Sequence, residues 1–479
     1  MIEIAADDGT VGTGRWRELL GPGHVGAATV LAGGVALYAT NEFLTISLMP
    51  SAIAEIGGAR LYAWVTTVYL VASVAAATTV YSTLMRVGPR GAYLLALGVF
   101  GIGSAGCAVA PTMELLLAGR TVQGLGGGLL AGLGYAVINT ALPESLWTKA
   151  SALVSAMWGV GTVLGPGSGG LFAQYLSWRW AFWALVVFTV LIAILVPVAL
   201  PGRYRPDPDL VRPRIPLWSL VILGAAAMVV SLAAVPHDGR AMGALLAVGA
   251  VLVAVFLFVD RRQTAAVLPP STFRPGPLKW IYLTLGGLMA ATMVDTYVPL
   301  FGQQTAGLTP VAAGFLAVGL AVGWTVAEIV SATLRHEAAA RRVVTVAPLV
   351  MAFGLTVAAL TQRDGAPAGL VAVWAAALFV AGTGVGMAWP HLSAWAMSRV
   401  ADPAEGPVAA AAINTVQLIC GAFGAGLAGV VVNATAMSGA ATARWAFAVF
   451  AVLAAAGLFA STRSVAMSGR TNAGRVPQP

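Results

Sequence analysis

Long apolar segments limit the folds that this chain can adopt. Fourteen of them are long enough to cross a bilayer, whose hydrocarbon core of about 30 Å requires about 20 apolar residues per helix. They lie near residues 28–49, 62–84, 91–110, 114–138, 150–173, 179–200, 216–236, 241–259, 279–302, 309–333, 343–361, 368–392, 407–433 and 442–462. Because lipid offers the backbone no hydrogen-bond partner, each segment is expected to be helical. The sequence therefore predicts an all-α polytopic membrane protein.

Composition supports this fold class. Of the 479 residues, 59% are hydrophobic and only 9% are charged, and the mean hydropathy is +0.86. Globular water-soluble domains contain about 25% charged residues. Residues 1–24 have no apolar core, and the first apolar segment is too long for a cleaved signal peptide. We therefore expect that segment to remain as the first helix.

Lysine and arginine are distributed unevenly between the loops. If the N-terminus is cytoplasmic, 20 of the 26 Lys and Arg residues lie on the same side, and Arg120 lies within a helix. The five on the other side are Arg60, Arg179, Arg240, Arg363 and Arg444. The positive-inside rule therefore places both termini in the cytoplasm. It also accounts for the net charge of +8, and since basic tracts are lacking we expect no nucleic-acid partner.

Two charged, proline-rich stretches divide the segments. Residues 201–216 and 260–277 are predicted to be extended cytoplasmic linkers, and they bracket a hairpin of two segments. Six segments precede them and six follow. We therefore predict an N-terminal six-helix bundle over 1–200, an inserted region over 201–277 and a C-terminal six-helix bundle over 278–479. Paired six-helix halves are common in secondary transporters.

The stretch "GVGTVLGPGSGG", residues 159–170, contains six glycines and one proline within an apolar segment. Gly161, Gly165 and Gly169 recur every four residues, so one face of the helix allows a neighbouring helix to approach closely. Pro166 removes one backbone hydrogen bond and bends the axis. Ordinary small-residue packing is the alternative, but the glycine density favours a specialised interface.

Four ionisable residues lie deep in apolar segments: Glu42, Arg120, Asp295 and Glu328. Each costs about 2.5–3.5 kcal/mol on insertion scales, which suggests function. Desolvation disfavours the charged form of a buried acid, as a proton carrier requires. We favour proton-linked roles for Glu42 and Asp295. For Glu328, close to a helix end, a proton-linked role and a static pair are equally supported.

Other polar and aromatic residues are candidates for coupling or for substrate binding. Gln123 is a candidate for substrate binding. It shares a helix face with Arg120, whose role is either coupling or a structural hub with Gln123 and Asn139. Asn414 and Gln417 form a polar stripe that either contacts substrate or packs helices. The aromatic candidates for lining a cavity are Trp158, Trp324, Tyr297 and Trp389, although most membrane aromatics face lipid or the interface.

Several motifs resemble those of one transporter family. "GVGTVLGPGSGG" is similar to the glycine–proline motif in the fifth helix of antiporters of the major facilitator superfamily, with Gly161, Gly165, Pro166, Gly169 and Gly170 on its marked positions. "LAGRTVQGLGGG" (117–128) resembles the same family's Arg-Gln-Gly motif through Arg120, Gln123 and Gly124. "TNEFLTISLMPSAIAEIG", "SWRWAFW" and "YVPLFGQQTAGLTPVAAGF" resemble parts of its fourteen-helix drug:proton antiporter branch.

The resemblance implies the major facilitator fold, two six-helix bundles plus the inserted hairpin, and a coupling role for Arg120. One motif departs from the family. In "YSTLMRVGPR" (81–90), Tyr81 and Met85 replace the expected glycine and acid, and only Arg86, Gly88 and Arg90 remain. In the family that acid helps to latch the two halves together, so the latch is in doubt here.

The sequence offers no support for catalysis. The two lysines, Lys149 and Lys279, are not in a nucleotide-binding loop, no metal or nucleophile cluster stands out, and Cys107 and Cys420 fit as packing residues. We therefore expect no enzyme activity, no cofactor and no metal.

The predicted function is proton-coupled export of lipophilic drug-like compounds, cationic ones among them, across the bacterial inner membrane. Protonation of Glu42 or Asp295 from outside would compete with substrate for one cavity. The expected partners are the substrate, protons and membrane lipids, and the chain is expected to be a monomer. The alternatives are an importer, an exporter of one endogenous metabolite, lipid or siderophore, and a non-transporting membrane sensor or scaffold.

Overall fold

The computed structural model describes residues 15–202, 215–263, 265–334, 336–402, 405–435 and 439–473. Every regular element in these ranges is helical, and they include no strand. Ten of the helices in this part of the chain are long and apolar enough to cross a membrane. The predicted all-α membrane fold is confirmed, whereas the count of fourteen spanning helices stays a prediction.

The helices follow the predicted segments closely. They are α1 (Trp16–Leu19), α2 (Val25–Ile56), α3 (Tyr62–Ala77), α4 (Val80–Ala108), α5 (Met113–Ala136), α6 (Ile138–Ala141), α7 (Trp147–Tyr175), α8 (Trp178–Ala199), α9 (Leu217–Leu232), α10 (Gly239–Asp260), α11 (Leu278–Thr292), α12 (Val298–Ala306), α13 (Pro310–Ala332), α14 (Glu337–Thr361), α15 (Ala368–Ser398), α16 (Gly406–Ala434) and α17 (Gly439–Ala473). Short 3-10 turns lie at Ala59–Leu61, Glu144–Leu146, Pro270–Phe273 and Met293–Tyr297.

The second predicted segment, 62–84, is not one continuous helix. It breaks after α3, where the hydroxyls of Thr78 and Thr79 donate hydrogen bonds to the carbonyls of Ala75 and Ala76, at 2.8 and 2.7 Å. Such local bonds compete with regular helix geometry. A second break lies within α4 at Gly88, where two helical stretches meet at a kink and the φ of 70° is readily adopted only by glycine. The predicted second and third segments therefore meet inside α4.

The helices form two groups that meet along two seams. In the first group α2 packs against α7, α5 and α8, and in the second α13 packs against α15, and α14 against α15 and α17. The seams between the groups are α7 against α13 and α3 against α16. We call the end that holds residues 57–61 and 307–309 the outer end, and the opposite end the inner end.

The hairpin of α9 and α10 is bonded to both groups at the outer end. Asn433 of α16 donates from Nδ2 to the carbonyls of Arg60 and Ala234, at 3.0 and 3.1 Å. Trp64 of α3 donates from Nε1 to the carbonyl of Ser231 at 3.0 Å. The hairpin therefore covers the outer part of the seam between α3 and α16.

The two predicted linkers have different outcomes. Residues 203–214, most of the first linker, lie outside the described residues, as do residues 1–14 and 474–479. The second linker is not simply extended as predicted, because it contains the 3-10 turn at Pro270–Phe273. The buried carboxylate of Asp260 accepts hydrogen bonds from the amides of Val267 and Leu268, at 2.8 and 2.9 Å, and folds the linker back. The predicted domain limits stay a prediction.

Candidate functional site

The glycine-rich part of α7 packs against α2. A Cβ atom at Gly161 would lie 2.7 Å from Ala39 Cβ, and one at Gly165 would lie 2.6 Å from Phe43 Cβ. A Cβ at Gly169 would likewise meet the hydroxyl of Ser47. Only glycine allows the two backbones to approach this closely. The face predicted from the spacing of four therefore contacts a helix of its own group.

The same stretch also contacts α13 of the other group. A Cβ at Gly170 would lie 2.6 Å from Val311 Cα, and one at Gly314 would lie 2.8 Å from the carbonyl oxygen of Pro166. The hydroxyl of Ser47 on α2 donates a hydrogen bond of 3.2 Å to that oxygen. Pro166 therefore stands where α2, α7 and α13 meet, at the outer part of the seam.

Asp295 lies beside this junction. It belongs to the 3-10 turn between α11 and α12 and is only 8% exposed. A cavity of about 10 Å³ adjoins it, lined by Phe43, Ile46, Ser47, Pro166, Asp295, Ala317 and Val318. Such a volume holds about one water molecule. The Oδ1 atom of Asp295 has no hydrogen-bond partner among the described residues, and an ionised carboxylate is costly in such surroundings.

Arg120 is the centre of a buried hydrogen-bond hub. Its side chain is 1% exposed, and Nη1 donates to Asn41 Oδ1 at 3.1 Å and to Gln123 Oε1 at 2.5 Å. Its guanidinium lies 4.1 Å from the centroid of the Tyr69 ring. Gln123 Nε2 donates to Ser104 Oγ at 2.8 Å, so both ends of the Gln123 amide have partners within the protein. The substrate-binding role predicted for Gln123 gains no support from this placement, and the side chain of Asn139 lies outside the described residues.

Glu42 lies next to this hub. One turn before it, Tyr38 stacks on Tyr69 with ring centroids 5.7 Å apart and meets Trp158 edge-on at 5.4 Å. The Oε2 atom of Glu42 is buried without a hydrogen-bond partner among the described residues. Among the described residues of the whole chain, the ion pairs are Arg179–Glu55, Arg341–Glu337 and Arg399–Glu337. Arg120 is in none of these pairs, so a static ion pair between Arg120 and a carboxylate is not seen among the described residues.

Glu328 lies in the second group, on the inner half of α13. Its Oε2 accepts a hydrogen bond from Trp324 Nε1 at 2.9 Å. The Trp324 ring packs against Trp389 of α15, with centroids 5.2 Å apart and ring planes inclined by 53°. All three side chains are partly exposed. This cluster combines an acid with two aromatic faces.

The remaining candidates lie apart from these clusters. Tyr297 stacks on Tyr62 with ring centroids 4.4 Å apart, and both line an outer-end cavity of about 460 Å³. Tyr62 donates its hydroxyl proton to the carbonyl of Thr296 at 2.8 Å, across the two groups. Asn414 is exposed and Gln417 partly buried on the inner half of α16. No group of three or more His, Cys, Asp or Glu among the described residues is placed to hold a metal ion.

The sequence interpretation missed Tyr38, Asn41, Ser47 and Tyr69. One of them, Tyr38, had a detectable signal. Tyr38 precedes Glu42 by four residues, just as Trp324 precedes Glu328, and this spacing puts an aromatic ring and an acid on one helix face. Asn41 and Tyr69 become visible as partners of Arg120 only when the helices are assembled.

Comparison with known proteins agrees with this architecture. The chain is 61% identical over 467 residues to a "Probable multidrug-efflux transporter" of Mycobacterium tuberculosis, covering 96% of this chain and 98% of that protein. It is 25% identical over 392 residues to the "Multidrug transporter protein MdtP" of Bacillus subtilis, covering 81% of this chain and 71% of that protein.

Solved structures share the fold at low identity. The nucleoside transporter NupG superposes with a TM-score of 0.64 at 12% identity, covering 92% of this chain and 99% of that one. The xylose transporter XylE from E. coli superposes with a TM-score of 0.59 at 12% identity, covering 91% and 98%. The family model of the Major Facilitator Superfamily matches residues 31–425. The chain therefore belongs to the Major Facilitator Superfamily and is a transporter of that family.

Proposed function

We propose that the protein exports lipophilic drug-like compounds across the bacterial inner membrane in exchange for protons, as a monomer of the fourteen-helix drug:proton antiporter branch with both termini in the cytoplasm. The observation that carries this proposal is Asp295, a buried acid whose Oδ1 has no hydrogen-bond partner among the described residues, beside the junction of α2, α7 and α13. The names of the relatives in Mycobacterium tuberculosis and Bacillus subtilis support multidrug substrates.

The mechanism begins from a conformation that is closed at the outer end. There Gly170 packs on Val311, Tyr62 is bonded to Thr296, and Asn433 joins α16 to the hairpin. Substrate enters from the inner end. To release it, the two groups rock about the seams and separate these outer contacts, as in alternating access.

Proton coupling follows from what opening does to Asp295. The seam that covers it contains Pro166 and Ser47 on one side and Ala317 on the other. When the outer end opens, Asp295 meets water and takes up a proton, and the protonated acid is then stable in the closed cavity. Glu42 on α2 precedes Phe43, which lines the cavity beside Asp295, and its Oε2 also has no hydrogen-bond partner among the described residues, so Glu42 is the second candidate carrier.

The glycine–proline stretch acts as a seal in this scheme. Its glycines bring α7 close to α2, and Gly170 brings α7 close to α13, so that a cavity of only about 10 Å³ beside Asp295 remains at the junction. A tight seam prevents protons from leaking past Asp295 without substrate. The membrane potential adds about 2.3 kcal/mol per charge per 100 mV to the driving force.

Everted membrane vesicles with a respiration-acidified lumen test the proposal. Addition of a transported compound should release protons from the lumen, seen as fluorescence recovery of a pH-sensitive dye. We expect this signal in the wild type and its loss in Asp295→Asn or Glu42→Gln. The matched control is Glu114→Gln, which neutralises an exposed carboxylate at the outer end. A full signal in the double variant Glu42→Gln, Asp295→Asn would contradict the proton route.

A further inference from the structure

The cluster of Trp324, Glu328 and Trp389 lies apart from the cavity beside Asp295. On α13, Ala317, Ala321, Trp324 and Glu328 follow one another at spacings of four, three and four, so they share one helix face. Ala317 lines the cavity beside Asp295. Glu328 lies eleven residues further toward the inner end, about 16 Å along the helix axis. The cluster therefore stands on the same face as the Asp295 cavity, closer to the inner end.

The chemistry of the cluster suits an organic cation. Two tryptophan rings at a centroid distance of 5.2 Å offer negative faces, and Trp is the strongest aromatic partner for a cation. Glu328 supplies a carboxylate, which Trp324 Nε1 orients with a hydrogen bond of 2.9 Å. In contrast to an apolar pocket, such a site distinguishes a charged ligand from a neutral one.

The cluster holds no positive charge of its own. Among the described residues Glu328 is in no ion pair. His391 of α15 is the neighbouring ionisable group, but its Nε2 lies 2.9 Å from Ser331 Oγ. Since Ser331 gives its single proton to the carbonyl of Met387 at 2.6 Å, it accepts the proton of His391. The imidazole is therefore bonded to Ser331.

The first group offers a contrasting arrangement. There Tyr38 and Glu42 have the same spacing of four, and Trp158 takes the place of Trp389. However, the guanidinium of Arg120 stacks on Tyr69 in that cluster and supplies the positive charge. A cationic ligand is therefore disfavoured beside Glu42 and favoured beside Glu328.

We propose that Trp324, Glu328 and Trp389 form a binding site at the inner end for organic cations that carry aromatic groups. The site rests on the proposed export function and specifies its substrate class and its point of entry. Glu328 acts there as the ligand of the cationic group, separate from the proton carrier.

Equilibrium binding to the purified protein in detergent tests the site without any gradient. The probes are tetraphenylphosphonium, a lipophilic cation, and triphenylphosphine oxide, an uncharged compound of related shape. In Glu328→Gln we expect the Kd of the cation to rise at least about tenfold and that of the neutral probe to change less than about threefold. Trp389→Ala should also weaken cation binding. The controls are Glu114→Gln and Trp445→Ala, which alter exposed side chains.

A conservative variant separates ligand binding from a structural role of the acid. Trp324→Phe removes the hydrogen bond to Glu328 but keeps an aromatic face, so we expect the cation to bind within about threefold of the wild type. If Glu328 only holds Trp324 in place, Trp324→Phe and Glu328→Gln would weaken binding equally, which would overturn the inference. Unchanged cation binding in Glu328→Gln would overturn it as well, as would a wild type that binds no cation.

The binding assay and the vesicle assay distinguish a failure of this binding site from a failure of proton-coupled export. If the wild type binds the cation through Glu328 but moves no protons in vesicles, the site stands and proton-coupled export fails. If vesicles show proton-coupled transport while Glu328→Gln binds the cation normally, export stands and the site fails.

Discussion

Replacing Gly170 by alanine would place a methyl group between the two helix groups. Its Cβ would lie 2.6 Å from Val311 Cα and 2.9 Å from the carbonyl oxygen of Pro310. Both are backbone atoms of α13, so no side-chain rotation relieves the overlap and the helices must separate. Overpacking of this kind costs about 1–3 kcal/mol. Because only the closed outer end bears this cost, the ratio of outer-open to outer-closed molecules should rise about 5- to 150-fold.

Distances between spin labels measure this shift. Labels at Tyr175→Cys and Arg363→Cys, both exposed at the outer end, would report the separation of the two groups in a background that lacks Cys107 and Cys420. We expect Gly170→Ala to move the distance distribution to longer values. Gly159→Ala is the matched control on the same helix, because its Cβ would meet nothing within 4 Å. A folded Gly170→Ala protein with the same distance distribution as the control would show that this contact does not hold the outer end closed.

Three further predictions concern side chains that make hydrogen bonds to other parts of the protein. Asn433→Ala removes two hydrogen bonds at about 0.5–1.5 kcal/mol each and should lower the thermal unfolding temperature in detergent, whereas Asn414→Ala, at an exposed position, should not. Arg120→Lys should abolish transport in a folded protein, because an ammonium cannot reproduce the planar fork of donors, and Arg341→Lys should transport normally in the same efflux assay. Asp260→Asn leaves one of two bound amides without an acceptor, which should cost about 1–3 kcal/mol and lower the unfolding temperature; an unchanged value would contradict this.

The sequence predicted the helices well but could not identify their partners. The spacing of Gly161, Gly165 and Gly169 defines one face of α7, and that face does approach another helix closely. Periodicity contains no information on which helix that is, and the contact of Gly170 with α13 depends on how the two groups assemble. The reason for the glycines is thus predictable, whereas the junction with the other group is not.

For the buried acids, too, the sequence identified the residues but not their partners. Apolar surroundings were enough to single out Glu42, Asp295 and Glu328 as candidates. Their different environments arise from tertiary packing: Arg120 lies near the first, the cavity at Pro166 adjoins the second, and Trp324, which packs against Trp389, is bonded to the third. Trp324 and Trp389 lie 65 positions apart in the sequence, so composition alone cannot pair them.

Helix interruptions were the hardest feature to predict. A single apolar run over 279–302 gave no sign that Met293–Tyr297 would form a 3-10 turn between α11 and α12. The turn matters because it contains Asp295. The run keeps its hydrophobic character across the turn, so a pattern based on hydropathy does not detect the change in geometry.

Proton release on substrate binding by the purified protein, in weakly buffered detergent solution, tests proton–substrate exchange most directly. Without a membrane, only competition between proton and substrate can produce the signal. We expect that a saturating lipophilic cation acidifies the solution with wild-type protein, and that Asp295→Asn still binds the cation but releases fewer protons. Equal proton release by Asp295→Asn, or binding by the wild type without any release, would contradict this expectation.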